Sequence, residues 1–141
     1  MLVAALIERI SMQTTGSFTV TSWDEDVVGD EHPKLARASV AYAFSGGISG
    51  ETTCAYALVY NADQTGAFNG MQLVRGTVDG REGAFAVREQ GHFGTDGKIH
   101  STFEVVPGSG TGDLAGLRGT GTYTAVHGEP AVPYAFDYEL A

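Results

Sequence analysis

The sequence lacks several features that would assign it to particular protein classes. Its single cysteine, Cys54, excludes an intramolecular disulfide and any zinc site built from several cysteines. Only eight lysine and arginine residues stand against 17 aspartate and glutamate residues, which gives a formal net charge of −9. Such a surface repels phosphate backbones and anionic lipid headgroups, so we expect neither nucleic acid nor a membrane as a partner.

Long apolar segments are also missing, because no run approaches the roughly 18 residues that a membrane-spanning helix requires. Residues 1–7 are apolar, but no basic segment precedes them and Glu8 and Arg9 interrupt them, unlike a secretory signal peptide. We interpret residues 1–14 as a short N-terminal appendage and residues 15–141 as one domain. A chain that folds without disulfides is typical of the cytoplasm, which is the predicted compartment.

Glycine is abundant, and an alternating pattern dominates the segments between glycines. Twenty of the 141 residues are glycine, about twice the average usage of roughly 7%. Valine, threonine, phenylalanine and tyrosine recur at every second position, a period that predicts β-strands, and no segment has the period of a long amphipathic helix. The predicted strands cover residues 16–23, 34–44, 51–60, 66–78, 82–93, 98–106, 118–125 and 132–140.

Eight consecutive antiparallel strands joined mostly by short turns can close on themselves, which removes the unpaired edges of an open sheet. The sequence therefore predicts an all-β fold, an eight-stranded antiparallel up-and-down β-barrel, with a β-sandwich as the alternative. The interior of a barrel of this size is either just filled by side chains or wide enough for one small ligand.

The Asp-Gly pair at residues 79–80 predicts how two strands pair. Between alternating segments this pair favours a two-residue type I′ turn, because both of its residues need a positive φ. That turn places Gln72 opposite Val87 in the ladder. The turn that follows residue 93 places Glu89 opposite Phe103 and therefore on the apolar face of its strand.

Glu89 is consequently predicted to lie inside the barrel. Burial raises the pKa of a carboxyl group there, which suits it to general acid or base chemistry. We predict Glu89 and Gln72 as the catalytic pair, with no metal and no cofactor. The alternative is a carboxyl group near the barrel mouth, in water or bonded to a tyrosine. Six further inward-facing residues are predicted to bind a ligand: Cys54, Tyr56, Phe85, Phe103, Tyr134 and Tyr138. The alternative is that they are core residues with no contact to a ligand.

Other residue groups resemble known sites but lack part of the pattern. His92 and His100 face each other in the predicted register, yet two imidazoles without an evident third ligand do not make a metal site. The carboxylates of residues 24–31 lack the order of a calcium loop, and residues 108–112 lack the lysine and the helix of a phosphate-binding loop. Ser109 has no nucleophile elbow around it. We interpret these groups as exposed histidines, a solvated loop and turn glycines.

Residues 105–121, VVPGSGTGDLAGLRGTG, resemble the signature of the DUF3224 family, a bacterial family of uncharacterised proteins. Further matching segments are FTVTSWDE at 18–25, YAFSG at 42–46, DGR at 79–81 and DYEL at 137–140. The resemblance covers about residues 15–141. It implies an eight-stranded barrel with a cavity, similar to that of allene oxide cyclases, and no settled reaction. It also implies a polar pair at Gln72 and Glu89 whose residue types differ among relatives.

Three functions are consistent with these features. The leading hypothesis is a barrel that binds a small hydrophobic molecule and acts as a cofactor-free cyclase or isomerase of a polyketide- or lipid-derived substrate. The alternatives are a non-catalytic carrier similar to a lipocalin, and a filled barrel with a structural role. A homodimer or higher homo-oligomer is expected, because weakly polar faces favour self-association. The residues predicted on such outward faces are Ala36, Ala38, Val40, Ala55, Ala57 and Val59.

Overall fold

The chain forms the predicted eight-stranded barrel. A computed structural model describes residues 10–140, in which eight antiparallel strands pair in chain order and β1 closes against β8. The closed ladder excludes the β-sandwich alternative. No helix among these residues has the length and apolarity needed to cross a membrane. The strands are β1 (Ile10–Val28), β2 (Lys34–Gly46), β3 (Ile48–Tyr60), β4 (Gly66–Val78), β5 (Arg81–Phe93), β6 (Lys98–Val105), β7 (Arg118–Val126) and β8 (Val132–Leu140).

The predicted register between β4, β5 and β6 is confirmed. Asp79 and Gly80 have φ values of 46° and 85°, as a type I′ turn requires. Gln72 pairs with Val87 across the β4–β5 ladder, and Glu89 pairs with Phe103 across the β5–β6 ladder. The alternation of each strand therefore places Glu89 inside the barrel.

The prediction of outward-facing residues is confirmed for β3 and wrong for β2. On β3 the residues Ala55, Ala57 and Val59 face solvent, as expected. On β2, however, the inward residues are Ala36, Ala38 and Val40, which are buried in the core. The prediction for β2 was wrong because its outward row also contains apolar residues, Leu35 and Ala41, beside Arg37 and Ser39, so composition does not distinguish the two faces. The next inward residue, Tyr42, continues the buried row. Self-association through these faces stays a prediction.

The first strand is longer than predicted. β1 begins at Ile10, so residues 10–14, assigned above to an appendage, pair with β8; residues 1–9 lie outside the described residues. The strand also extends through residues 24–28, the first part of the predicted acidic loop. Its first half pairs with β8 and its second half with β2, with a register shift between Val20 and Ser22. β1 is long because successive parts of it pair with two different strands.

The two ends of the barrel differ. At one end, which we call the mouth end, lie the loops at residues 29–33, 61–65, 94–97 and 127–131. At the other end, the connector end, lie the tight turns after β2 and β4 and the connector from Val106 to Leu117. Leu114 and Leu117 of the connector are fully buried and belong to the same apolar cluster as the barrel interior. The connector therefore closes that end of the barrel.

The glycine-rich connector also extends the sheet. The ladder between β5 and β6 ends at Val87 and Val105, so Ala84 and Ala86 have no partner in β6. The connector pairs with them instead. The Ala86 N–H donates to Ser109 Oγ at 3.0 Å, and the Ala84 N–H donates to Thr111 Oγ1 at 3.0 Å. Ser109 Oγ in turn donates to the Val106 carbonyl at 2.6 Å. Ser109 and Thr111 thus satisfy backbone groups of β5 that would otherwise form an open edge.

We predict that Ser109→Ala destabilises the barrel by about 1–3 kcal/mol, the usual cost of leaving a partly buried N–H without an acceptor. Thr111→Ala is expected to cost less, because Thr111 is exposed and water can reach Ala84. Urea unfolding followed by circular dichroism measures both. Ser39→Ala, at an exposed serine of β2, is the matched control, and an equal loss of stability in Ser109→Ala and Ser39→Ala would contradict the role of Ser109.

Candidate functional site

A cavity of about 400 Å³ lies at the mouth end of the barrel. All eight strands contribute residues to its wall. The wall is mainly aromatic and aliphatic, which favours an apolar ligand. The aromatic lining residues are Phe18, Trp23, Tyr42, Tyr56, Tyr60, Phe68, Phe93 and Tyr123.

Three tyrosines of this wall form a hydrogen-bonded group with Glu89, which we call the phenol cluster. The Tyr56 hydroxyl donates to Glu89 Oε2 at 2.6 Å, and the Tyr123 hydroxyl donates to Glu89 Oε1 at 2.8 Å. The Tyr42 and Tyr56 hydroxyl oxygens are 3.1 Å apart. Tyr42, Tyr56 and Tyr123 line the cavity, whereas Glu89 does not. The carboxyl group therefore lies behind a layer of phenols.

Glu89 is only 1% exposed. Burial raises the pKa of its carboxyl group above the ordinary value, because the charged form loses its hydration. The hydrogen bonds from Tyr56 and Tyr123 act in the opposite direction and stabilise the carboxylate, but burial is the larger effect. Glu89 therefore lies in the interior, as predicted, and is bonded to two tyrosines; its predicted catalytic role stays a prediction.

The phenols of the cluster remain protonated over a wide pH range. Burial, followed by the nearby charge of Glu89, raises the pKa of both Tyr56 and Tyr123 well above the usual value. Burial likewise raises the pKa of Tyr42. All three side chains are therefore neutral hydroxyl groups that can both donate and accept one hydrogen bond.

The ring of Tyr56 is positioned by a glycine on the neighbouring strand. Gly70 of β4 pairs with Tyr56, and a Cβ atom at Gly70 would lie 2.7 Å from Tyr56 Cδ1 and 2.1 Å from the Ala55 carbonyl oxygen. Only glycine leaves room for this packing. The ring of Phe68 also packs against Tyr56, with centroids 5.6 Å apart and planes 80° apart.

The rim of the cavity is held together by Glu25. Trp23 Nε1 donates to Glu25 Oε1 at 2.9 Å, and the Tyr60 hydroxyl donates to Glu25 Oε2 at 2.6 Å. One carboxylate thus connects aromatic side chains of β1 and β3 that both line the cavity. Lys98 and His127 also line the cavity near the mouth loops.

Of the predicted ligand-binding residues, only Tyr56 lines this cavity. Phe85, Phe103 and Tyr138 lie instead in the half of the barrel toward the connector end, which we call the packed half. There their rings surround that of Phe136, with centroid separations of 6.4, 5.8 and 5.4 Å. The Tyr134 hydroxyl accepts from the Ile48 N–H at 2.8 Å and so holds the turn after β2.

Cys54 and Gln72 are paired with each other across β3 and β4 in the same packed half. Burial raises the pKa of the Cys54 thiol to about 12, so it is a neutral side chain of the core. Gln72 is buried, and its Oε1 atom has no hydrogen-bond partner among the described residues 10–140. Neither residue lines the mouth cavity.

Sequence reasoning missed Tyr42 and Tyr123 as site residues. For Tyr42 a signal was present, because the alternation of β2 places it on the same inward row as Val40. For Tyr123 no comparable signal exists, since a long connector separates β6 from β7 and leaves their register undetermined by a short turn. The structure pairs Tyr123 with Ser101, which brings its hydroxyl to Glu89.

The remaining candidate motifs have local roles. The rings of His92 and His100 are 5.3 Å apart on the outer surface, and no group of three metal-ligating side chains occurs among residues 10–140. Of the acidic residues at 24–31, Glu25 is the one that bonds the cavity rim, and the others are exposed. The glycines of residues 108–112 belong to the connector, as expected for turn residues.

Comparisons with known proteins agree on the fold. A family model described as "Protein of unknown function (DUF3224)" matches residues 14–138. A crystal structure of a protein of unknown function from the DUF3224 family of Shewanella oneidensis MR-1 is similar, with 25% sequence identity and a TM-score of 0.68. The alignment covers 93% of this chain and 97% of the other. The comparison with curated proteins produced no match.

We predict that Glu89→Gln changes how stability depends on pH. A carboxyl group whose pKa is raised by folding binds its proton more tightly in the folded state, so its contribution to stability is lost as pH rises through the folded pKa. The free energy of unfolding of the wild type should therefore fall relative to that of Glu89→Gln as buffers become less acidic. The slope is limited to about 1.4 kcal/mol per pH unit for one proton.

Urea unfolding of both proteins across a pH series measures this difference. Glu104→Gln, which removes an exposed carboxylate from the neighbouring strand β6, is the matched control. A constant difference between the wild type and Glu89→Gln at every pH would show that Glu89 does not titrate differently on folding.

Proposed function

Because the chain belongs to the DUF3224 family, whose function is unknown, we propose its function from the barrel itself: it binds a small, mainly apolar molecule in the mouth cavity. The observation that carries this proposal is the cavity of about 400 Å³ with an aromatic wall and a few hydroxyl groups on its inner side. This is the usual composition of a small-molecule site, and the volume is near the lower end of the range of roughly 300–1,000 Å³.

The contrast between the two halves of the barrel supports this proposal. The connector end is packed with stacked rings and closed by Leu114 and Leu117. At the mouth end, large aromatic side chains surround space instead of filling it. Because an unfilled cavity costs stability, a chain that packs one half this tightly has a reason to leave the other half open.

A second candidate function is a cofactor-free isomerase or cyclase that acts on the bound molecule. The supporting observation is the phenol cluster, in which a buried carboxyl group of raised pKa is bonded to tyrosines that reach the cavity. Since Glu89 does not line the cavity, the group that would exchange a proton with a substrate is the hydroxyl of Tyr56 or Tyr123, with Glu89 as its partner. Gln72 has no place in this version.

The carrier and the enzyme are distinguished by turnover. If the barrel only carries its ligand, a molecule recovered after incubation is unchanged. If the phenol cluster transfers protons, a bound ketone with acidic α-hydrogens, such as β-tetralone, takes up deuterium in heavy water faster than in buffer alone. Replacing a hydroxyl of the cluster should then slow the exchange.

We predict that Ala125→Phe abolishes or strongly weakens binding of the apolar fluorescent probe N-phenylnaphthylamine. Ala125 lines the cavity, and a phenyl ring at this position fills part of it. Ala135→Phe adds the same ring to an exposed position of the next strand and is the matched control. The rise in probe fluorescence on titration gives the dissociation constants. Equal binding by the two variants would place the probe outside the mouth cavity.

We further predict, for the enzymatic version, that Tyr123→Phe reduces deuterium uptake into β-tetralone by about 100-fold or more, the lower end of the usual contribution of one general acid or base. Tyr138→Phe removes a hydroxyl from the packed half and serves as the control. Mass spectrometry of the recovered ketone measures the uptake. Uptake no faster than in buffer would reject the enzymatic version and leave the carrier.

A further inference from the structure

The phenol cluster has three phenolic protons, and their positions can be counted. The one other hydroxyl group beside Glu89 among residues 10–140, that of Ser101, donates its proton to the Gln90 carbonyl at 3.3 Å. Tyr56 donates its one proton to Glu89 Oε2, and Tyr123 donates its one proton to Glu89 Oε1. Tyr56 therefore has no proton left for Tyr42, so in the contact of 3.1 Å between them Tyr42 is the donor. With Glu89 ionised, every proton of the cluster is used inside it, and the cavity meets phenol oxygens that can only accept.

A proton added to Glu89 reverses this chain without moving a heavy atom. The new O–H at Oε2 donates to the Tyr56 oxygen, and the Tyr56 hydroxyl turns to donate to the Tyr42 oxygen. The Tyr42 hydroxyl is then released and can donate into the cavity, which Tyr42 lines. Tyr123 continues to donate to Oε1. The balance is one proton taken from solvent by the carboxylate and one hydroxyl group redirected toward the ligand.

We propose that the phenol cluster selects ligands by their hydrogen-bonding group and that the protonation state of Glu89 sets this selection. With Glu89 ionised, the inner side of the cavity binds a hydroxyl or N–H group of the ligand. With Glu89 neutral, Tyr42 donates to a carbonyl oxygen. A ligand whose only polar atom is a carbonyl oxygen is consequently bound together with one proton. This inference rests on the proposed binding function and names the chemical class of ligand for it.

The surroundings of Glu89 support a change of charge at this group alone. Tyr56 and Cys54 of β3, Tyr42 of β2 and Tyr123 of β7 are the titratable side chains near it, and burial keeps all of them protonated at ordinary pH. Among residues 10–140, no cationic side chain contributes to the pKa of Glu89 or forms an ion pair with it. Lys98 and His127 also face the cavity, near the mouth, so the experiment must correct for their charge.

The test uses three probes of one shape: fluorene, fluorenol and fluorenone. Fluorene has no polar atom, fluorenol has a hydroxyl group, and fluorenone has only a carbonyl oxygen; none of them titrates near neutral pH. Their dissociation constants are measured over a pH series by displacement of N-phenylnaphthylamine. Dividing each constant by that of fluorene removes the general effect of pH on the cavity, including any effect of Lys98 and His127.

In the wild type, the affinity of fluorenone relative to fluorene should fall by about tenfold as pH rises through the titration of Glu89, the usual effect of losing one buried hydrogen bond. The relative affinity of fluorenol should not fall, because a hydroxyl group can donate to the phenol oxygens. In Glu89→Gln, whose side-chain amide does not titrate, the relative affinity of fluorenone should be independent of pH.

Tyr42→Phe should remove the advantage of fluorenone in acidic buffer, whereas Tyr138→Phe in the packed half should preserve it. If Tyr42→Phe does not fold, Glu89→Gln still decides the matter, together with the infrared difference between the two proteins. The other acidic side chains are common to both, so subtracting the spectrum of Glu89→Gln from that of the wild type should leave the band of one protonated carboxyl group, which appears on acidification. Release of fluorenone at high pH should accompany loss of that band.

A relative affinity of fluorenone that is constant with pH in the wild type, or that changes equally in Glu89→Gln, would overturn the inference while leaving the binding function intact. If none of the three probes and no N-phenylnaphthylamine binds, the proposed binding function fails and the inference fails with it. The two failures are therefore distinguishable.

Discussion

The constraint on which the rest of the structure depends is the burial of one carboxyl group. An acidic side chain in an apolar interior is costly unless hydrogen bonds replace its lost hydration. Glu89 obtains these bonds from Tyr56 on β3 and Tyr123 on β7, two strands away on either side. The bonds therefore connect side chains of three strands that are not direct neighbours in the sheet. The same bonds orient the hydroxyl groups of Tyr56 and Tyr123, which line the cavity.

The two ends of the barrel differ in how tightly they are packed. At the connector end, stacked rings and the buried leucines of the connector supply a dense core. Ser109 and Thr111 complete the edge of β5 there through their side chains. The connector thus needs buried leucines and hydroxyl side chains at fixed positions. A phosphate-binding loop shares only its glycine content. The cavity lies at the mouth end, where the interior is not filled by side chains.

Much of the fold could be predicted because short turns fix register. The turn at residues 79–80 places Glu89 opposite Phe103, and alternation then places it inside the barrel. Alternation shows that a residue faces inward, but it does not show whether that residue lies in the packed half or at the cavity. Phe85 and Tyr56 both face inward, yet only Tyr56 lines the cavity. Tyr123 could not be placed, because its strand follows a long connector rather than a tight turn.

The position of the phenols between Glu89 and the cavity limits the chemistry that the site can perform. A carboxylate that does not reach the cavity cannot attack a bound molecule and form a covalent intermediate with it. Its charge acts on a ligand only through the direction in which the intervening hydroxyl groups donate. In the proposed function, recognition and proton transfer would therefore both depend on hydroxyl groups of the phenol cluster. Under the proposal, a ligand carbonyl that accepts from Tyr42 requires Glu89 to hold a proton, whereas the isomerase also requires the Tyr56 or Tyr123 hydroxyl to exchange a proton with the ligand.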